Sequence, residues 1–229
     1  MASTSRSARQ QAQGRIVADI LLEIKAVNFR PEQPYTLTAG WASPVYIDCR
    51  KLISYPRARR KITELARHEI EESIGHESLD AVAGGETAGI PYAAWIADAL
   101  MLPMQYVRKK PKGFGRMAQI EGDLGEGQRV ILVEDLASDG GSKLLFVKAL
   151  RDAGAVCNHC FVVFFYGAFP GAIDSLAAEG IALHYLCTWH DVLAAAEAGR
   201  YFPPAAIAGV RAFLENPVAW SAAHGGKGG

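Results

Sequence analysis

Residues Val130 to Ser142, V-I-L-V-E-D-L-A-S-D-G-G-S, constrain the fold more than any other stretch of the chain. Val130–Val133 is continuously apolar and mostly β-branched, the pattern of a strand buried on both faces of a parallel sheet. Two adjacent carboxylates, Glu134 and Asp135, follow, then a short polar turn. An apolar-periodic segment with Leu145, Phe146, Ala149 and Leu150 comes next. Strand, tight turn and helix start are thus packed into thirteen residues. Repeated along a chain, that alternation builds an α/β fold, a doubly wound and mostly parallel sheet flanked by helices. Ligands of such sheets sit outside the carboxyl ends of strands, where the spacing places the two acids.

The chemistry of the turn follows from its residue types. Buried carboxylates are costly without partners, so Glu134 and Asp135 require hydroxyls, cations or a metal beside them. Ser138, Asp139, Gly140, Gly141 and Ser142 supply hydroxyls and a backbone that can approach an anion closely. A helix starting near Ser142 aims its positive end at the same point. A sugar phosphate matches this set, with its phosphate in the loop and its diol on the acids. The turn also reads as a plain capped connection, and only the acids ahead of it tip the balance. Neither G-x-x-x-x-G-K-[ST] nor G-x-G-x-x-G occurs here.

A second feature is electrostatic. The chain carries 24 basic and 24 acidic residues, yet Arg108, Lys109, Lys110, Lys112 and Arg116 crowd five cations into nine positions. Pro111, Gly113 and Gly115 keep that segment from being a helix. Such a loop can close over a polyphosphate and neutralise a departing pyrophosphate. It also reads as a solvated face. A nucleic-acid surface is disfavoured by the neutral net charge and by the single cluster.

The remaining segments set the organisation. With 229 residues, half of them hydrophobic, one domain spanning 1–229 can bury a full core. No apolar run approaches ~20 residues, and the polar start has no apolar signal region, so no membrane association and a cytoplasmic location are expected. The ends, 1–10 and 222–229, are expected to fray. Periodicity predicts helices over 12–27, 57–74, 89–100, 142–153, 171–179, 189–198 and 204–215. It predicts strands over 79–83, 104–108, 130–134, 157–166 and 181–186. Four cysteines and six histidines show no metal spacing; Cys157-x-x-Cys160 runs into an apolar strand and is read as buried free thiols.

The V-x-x-V-E-D-L-A-S-D-G-G-S stretch resembles the phosphoribosyl pyrophosphate (PRPP) motif of type I phosphoribosyltransferases. Y-V-R-K-K-P-K-G-F-G-R resembles the lid of the orotate phosphoribosyltransferases, and L-T-A-G-W-A-S-P-V-Y-I-D-C-R, residues 37–50, their hood. G-G-E-T-A-G-I-P resembles their pyrophosphate loop. Together these cover about residues 20–200.

The resemblance implies the type I fold with a small N-terminal hood (about 28–52), a flexible lid (about 108–122) and a homodimer whose lids act in neighbouring sites. It implies transfer of phosphoribose from PRPP to orotate in pyrimidine (UMP) synthesis, with Mg2+ held mainly by PRPP and water. The implied catalytic residues are Lys109, Glu134 and Asp135. Arg108, Lys109 and Lys112, with Glu134 through Ser142 (Leu136 and Ala137 included), would bind PRPP. Gly84, Gly85, Glu86, Thr87, Ala88 and Gly89 would form the pyrophosphate loop. Ser138, Tyr46 and Ile47 are the implied orotate contacts.

Four departures stand against the family pattern. Thr38 and Thr87-Ala88 replace positions often holding lysine, and Phe114 replaces a frequent histidine. The strand over 157–166 carries no arginine for the orotate carboxylate. Lys112, Arg50 or a helix N-terminus remain as its partners. The departures leave two alternatives open: a transferase for another base, or a PRPP-binding regulator without catalysis.

Overall fold

The computed structural model describes residues 6–113, 119–138 and 140–228. Phe114, Arg116 and Asp139 lie outside them. In chain order the elements are α1 (Ala8–Glu23), β1 (Val27–Phe29), β2 (Tyr35–Thr36), β3 (Ala42–Ser43), β4 (Val45–Ile47), a 3-10 helix (Cys49–Ser54), α2 (Pro56–Ile74) and β5 (Ala81–Gly85). There follow α3 (Gly89–Leu100), β6 (Met104–Val107), β7 (Ile120–Glu121), β8 (Arg129–Ala137), α4 (Gly141–Asp152) and β9 (Val156–Phe165). The chain closes with α5 (Ala172–Ala178), β10 (Ala182–Thr188), α6 (Trp189–Gly199), α7 (Pro204–Glu215) and α8 (Pro217–Ala223). No helix among the described residues is long and apolar enough to cross a membrane.

By its contacts the chain divides into two compact units. The larger, Pro56–Phe165 with Pro170–Leu186, is built on a six-stranded sheet of order β10-β9-β8-β5-β6-β7. Strands β6, β5, β8 and β9 run parallel, as the strand–helix alternation requires, and β7 returns antiparallel on β6. Val130–Val133 and Phe161–Phe164 are at most 1% exposed, which explains why both stretches are unbroken in apolar residues. Phe146, Val147 and Leu150 of α4 complete this core with Leu132, Cys160 and Val162. All four cysteines are buried, and burial pushes the Cys157 thiol up to about 11.

The strand carrying the acids is longer than its apolar run predicts. It does not stop at residue 134, because β9 offers an apolar partner as far as Ala137↔Phe165. On its other side β8 loses its neighbour early, since β5 pairs only to Gly84↔Val133. Glu134 and Asp135 are therefore inside the strand with respect to β9 and beyond its ladder with respect to β5.

The smaller unit, Met1–Tyr55 with Tyr166–Phe169 and Cys187–Gly229, contains two short antiparallel pairs, β1–β4 and β2–β3. Phe29 stacks on Phe202 at 4.3 Å, and Trp41 on Phe169 at 4.4 Å. Of the tails expected to fray, residues 1–5 and 229 lie outside the described residues, and the described parts are hydrogen-bonded into helices and turns. Helix α1 begins at Ala8 rather than 12, because Ser7 and Gln10 form a reciprocal capping box. At the other end Asn216 caps α8, and the Lys227 N–H donates to Gly40 O at 2.8 Å. The Ser221 hydroxyl accepts from Ala42 N at 2.9 Å and donates to Lys227 O at 2.8 Å.

Candidate active site

Three connections leave the same edge of the larger unit's sheet, from the carboxyl ends of the adjacent parallel strands β6, β5 and β8. They are the segments after Val107, Gly85 and Ala137. Two of them lead straight into helices, α3 and α4, whose N-cap residues, Ala88 and Gly140, make no side-chain capping bond. The helix N-termini and their dipoles make that edge attractive to anions.

In the loop after β8, Ala137 is buried and Ser138 exposed. Gly140 takes φ +83°, the left-handed conformation at which a side chain would be strained, and serves as the N-cap of α4. The helix begins at Gly141, one residue ahead of expectation, and Ser142 is exposed in its first turn. Leu136 and Asp135 are half-buried.

The two acids are not equivalent. Period-two alternation sends them to opposite faces of β8. Glu134 is 7% exposed, on the face of Leu132, and its carboxylate lies under the loop that follows β5. A Cβ added to Gly89 would come within 2.6 Å of Glu134 Oε1, and one on Gly85 would collide with the same atom. These glycines are therefore what makes room for the acid. Its other oxygen, Oε2, accepts from Lys143 Nζ at 3.4 Å, and Oε1 has no hydrogen-bond partner among the described residues. Burial is the largest influence on Glu134 and pushes it up to about 7; Lys143 pulls the other way and Asp135 adds to the rise.

Lys143 escaped the sequence reading. A lysine in the first turn of a helix ordinarily faces water, yet its side chain is 7% exposed and it also reaches Ser142 Oγ at 3.2 Å. It answers the requirement that a buried acid find a cation.

The loop after β5 runs from Gly84 and Gly85, both buried, through Glu86, Thr87 and Ala88 to Gly89 at the start of α3. The Glu86–Thr87 peptide is cis. The Glu86 carboxylate accepts from the backbone N–H of Lys109 at 2.7 Å, tying this loop to the basic segment after β6.

That basic segment is a hairpin. Its arms pair Tyr106 with Glu121 and Val107 with Ile120, and Arg108 N donates to Gln119 O at 2.8 Å. Arg108 itself meets Glu121 across the hairpin at 3.2 Å. Lys109, Lys110 and Lys112 are exposed beyond this ladder. Tyr46 and Ile47 belong to the smaller unit, on β4, with Tyr46 exposed and Ile47 buried.

The model of the phosphoribosyl transferase domain matches residues 52–189. The orotate phosphoribosyltransferase of Cereibacter sphaeroides is 56% identical over 224 residues, covering 98% of this chain and 96% of its own length. Among solved structures, orotate phosphoribosyltransferase from Aeropyrum pernix aligns with a TM-score of 0.69 at 31% identity, over 80% of this chain and 98% of that one. The Mycobacterium tuberculosis enzyme in complex with PRPP aligns with a TM-score of 0.59 at 25% identity, over 79% and 98%. The chain belongs to the orotate phosphoribosyltransferase family of phosphoribosyl transferases.

Proposed function

We propose that this protein transfers the phosphoribosyl group of PRPP to orotate, giving orotidine 5′-monophosphate and pyrophosphate for UMP synthesis, as a cytoplasmic homodimer. One observation carries the reading. The acid pair, two helix N-termini and a basic hairpin converge on one edge of the sheet from three neighbouring strands.

In this reading the amides and hydroxyls of Ala137–Ser142 take the 5′-phosphate, and Asp135 and Glu134 take the ribose hydroxyls. The loop Gly84–Gly89 receives the pyrophosphate. A base nitrogen forms its bond to C1 as the bond from C1 to the pyrophosphate oxygen breaks, with inversion. The acids balance the positive charge that develops on the ribose, and Lys109 and Lys112 balance the charge of the leaving group. Orientation of the two substrates supplies the rest, without a covalent intermediate. Arg108, held by Glu121, steadies the base of the hairpin.

A magnesium ion bound with PRPP would supply positive charge to the leaving pyrophosphate. Among the described residues no three His, Cys, Asp or Glu side chains gather into a group that could hold a metal ion. Ser138 and the backbone of Tyr46 and Ile47 are assigned to the base. Lys112, Arg50 or a helix N-terminus remain the candidate partners of the orotate carboxylate; the Arg50 guanidinium is held by Asp48 at 2.7 Å and lies 3.4 Å from the Tyr46 hydroxyl.

The test is to mix orotate, PRPP and Mg2+ with the protein and follow orotate absorbance and pyrophosphate release. Equal consumption and release, with no turnover of uracil or adenine, is expected. PRPP binding without orotate consumption would overturn the assignment.

A further inference from the structure

We propose that Lys143 is a positioning residue of the PRPP site: it holds Glu134 as a fixed anion beneath the Gly85–Gly89 loop and couples that acid to Ser142 at the start of the phosphate loop's helix. The inference rests on the reading of this edge as a PRPP site.

Three features of geometry carry it. First, Lys143 and Glu134 are both more than nine-tenths buried as side chains, so the pair is enclosed rather than a surface contact. Second, the contacts are divided. Lys143 Nζ reaches Glu134 Oε2 at 3.4 Å and Ser142 Oγ at 3.2 Å, one group on each side of the turn. Third, Glu134 Oε1 points at the Gly85–Gly89 loop with no partner among the described residues, leaving one acceptor oxygen oriented and unused. A carboxylate with one oxygen anchored and the other free is arranged to accept from a hydroxyl, but only when ionised and only in that rotamer.

The groups that bear on its charge state are Lys143 of α4, Lys109 after β6, Asp135 of its own strand and the Cys160 thiol of β9. Burial drives the Cys160 thiol far upward, so it stays neutral. Burial and Asp135 oppose ionisation of Glu134; Lys143 is the larger of the two cationic counterweights. Without Lys143 the acid would hold its proton to higher pH.

The test is calorimetric affinity for Mg-PRPP from pH 6 to pH 9 in wild type, Lys143→Met, Lys143→Arg, Glu134→Gln and the Glu134→Gln/Lys143→Met double variant, with thermal melts alongside. Lys143→Met should weaken PRPP binding about tenfold or more at pH 7, with the deficit shrinking toward pH 9 as Glu134 ionises. Lys143→Arg should restore most of the affinity. On the Glu134→Gln background Lys143→Met should add nothing, because its effect runs through the acid. Should Lys143→Met fail to fold, the comparison of Glu134→Gln with the double variant, in which no buried charge is left unpaired, carries the test. Unchanged affinity in Lys143→Met at every pH, or the same penalty added on top of Glu134→Gln, would overturn the role of Lys143. Failure of wild type to bind PRPP would instead overturn the reading of the site.

Discussion

At the scale of single residues, the acid pair is specified as much by what is missing around it as by its own chemistry. Gly89 has no room for a methyl group: a Cβ there would sit 2.5 Å from the Val133 carbonyl oxygen and 2.6 Å from Glu134 Oε1. Gly89→Ala is expected to cost roughly 1–3 kcal/mol in urea unfolding and to displace Glu134, weakening PRPP binding. A fully stable variant with unaltered affinity would contradict that packing. The Glu134–Lys143 pair makes a complementary prediction. Glu134 is raised from 4.5 to about 7 in the folded chain, so it stays protonated where the unfolded chain has already ionised. The resulting penalty is absent below the unfolded value, grows as pH rises from 4.5 toward 7, and is complete above that. Replacing both partners by Gln and Met should therefore stabilise the protein by about 1–3 kcal/mol at pH 8, with a smaller gain at pH 5, while PRPP affinity falls only as far as in Glu134→Gln alone. Urea titrations at the two pH values measure it. The acids and the glycines were legible in the sequence because each has a distinctive backbone or charge requirement. Lys143 was not, because only the length of β8 relative to β5 brings Glu134 inward, and a strand's length past its neighbour leaves no mark in its own residues.

At the scale of elements, the basic segment is where charge and backbone meet. Composition located its cations but not its arms, since Ile120–Glu121 is too short for a periodic signal and pairs only because β6 lies at the sheet's parallel edge. For the same reason α8 was missed: a seven-residue helix gives two turns, and its Asn216 cap and Pro217 are its clearest marks. The start of α1 was legible in principle, because Ser7-x-x-Gln10 is a capping-box signature, but the polar residues that follow it hide the periodicity. The hairpin gives a direct prediction. Lys109 is exposed and its backbone, not its side chain, makes the contact to Glu86. Lys109→Ala should therefore leave the melting temperature unchanged and lower kcat by ~100–1,000-fold, the loss typical of removing one donor from a developing negative charge. Unchanged turnover would remove Lys109 from the chemistry. Glu86→Ala, by contrast, frees the base of the hairpin and should raise KM for PRPP more than it lowers kcat.

At the scale of the whole molecule the question is whose site each hairpin serves. Its arms are bound to their own sheet through Tyr106↔Glu121, Val107↔Ile120 and the Glu86–Lys109 contact. Of the described residues, Lys109, Lys110 and Lys112 lie beyond that ladder and are left to reach a substrate. They can serve their own site or, in the proposed homodimer, the partner's. Two variants separate the cases, because Lys109→Ala damages only the hairpin and Asp135→Ala only the acid pair. If each hairpin serves its own site, every subunit in a mixture carries a defect in that site and no activity returns. If it serves the neighbouring site, a mixed dimer holds one site with both defects and one with neither. Random exchange of equal amounts makes half the dimers mixed, so about a quarter of wild-type activity should return. The measurement is turnover after mixing, with exchange verified by native mass spectrometry of a tagged subunit; complete exchange without recovery would assign each hairpin to its own subunit.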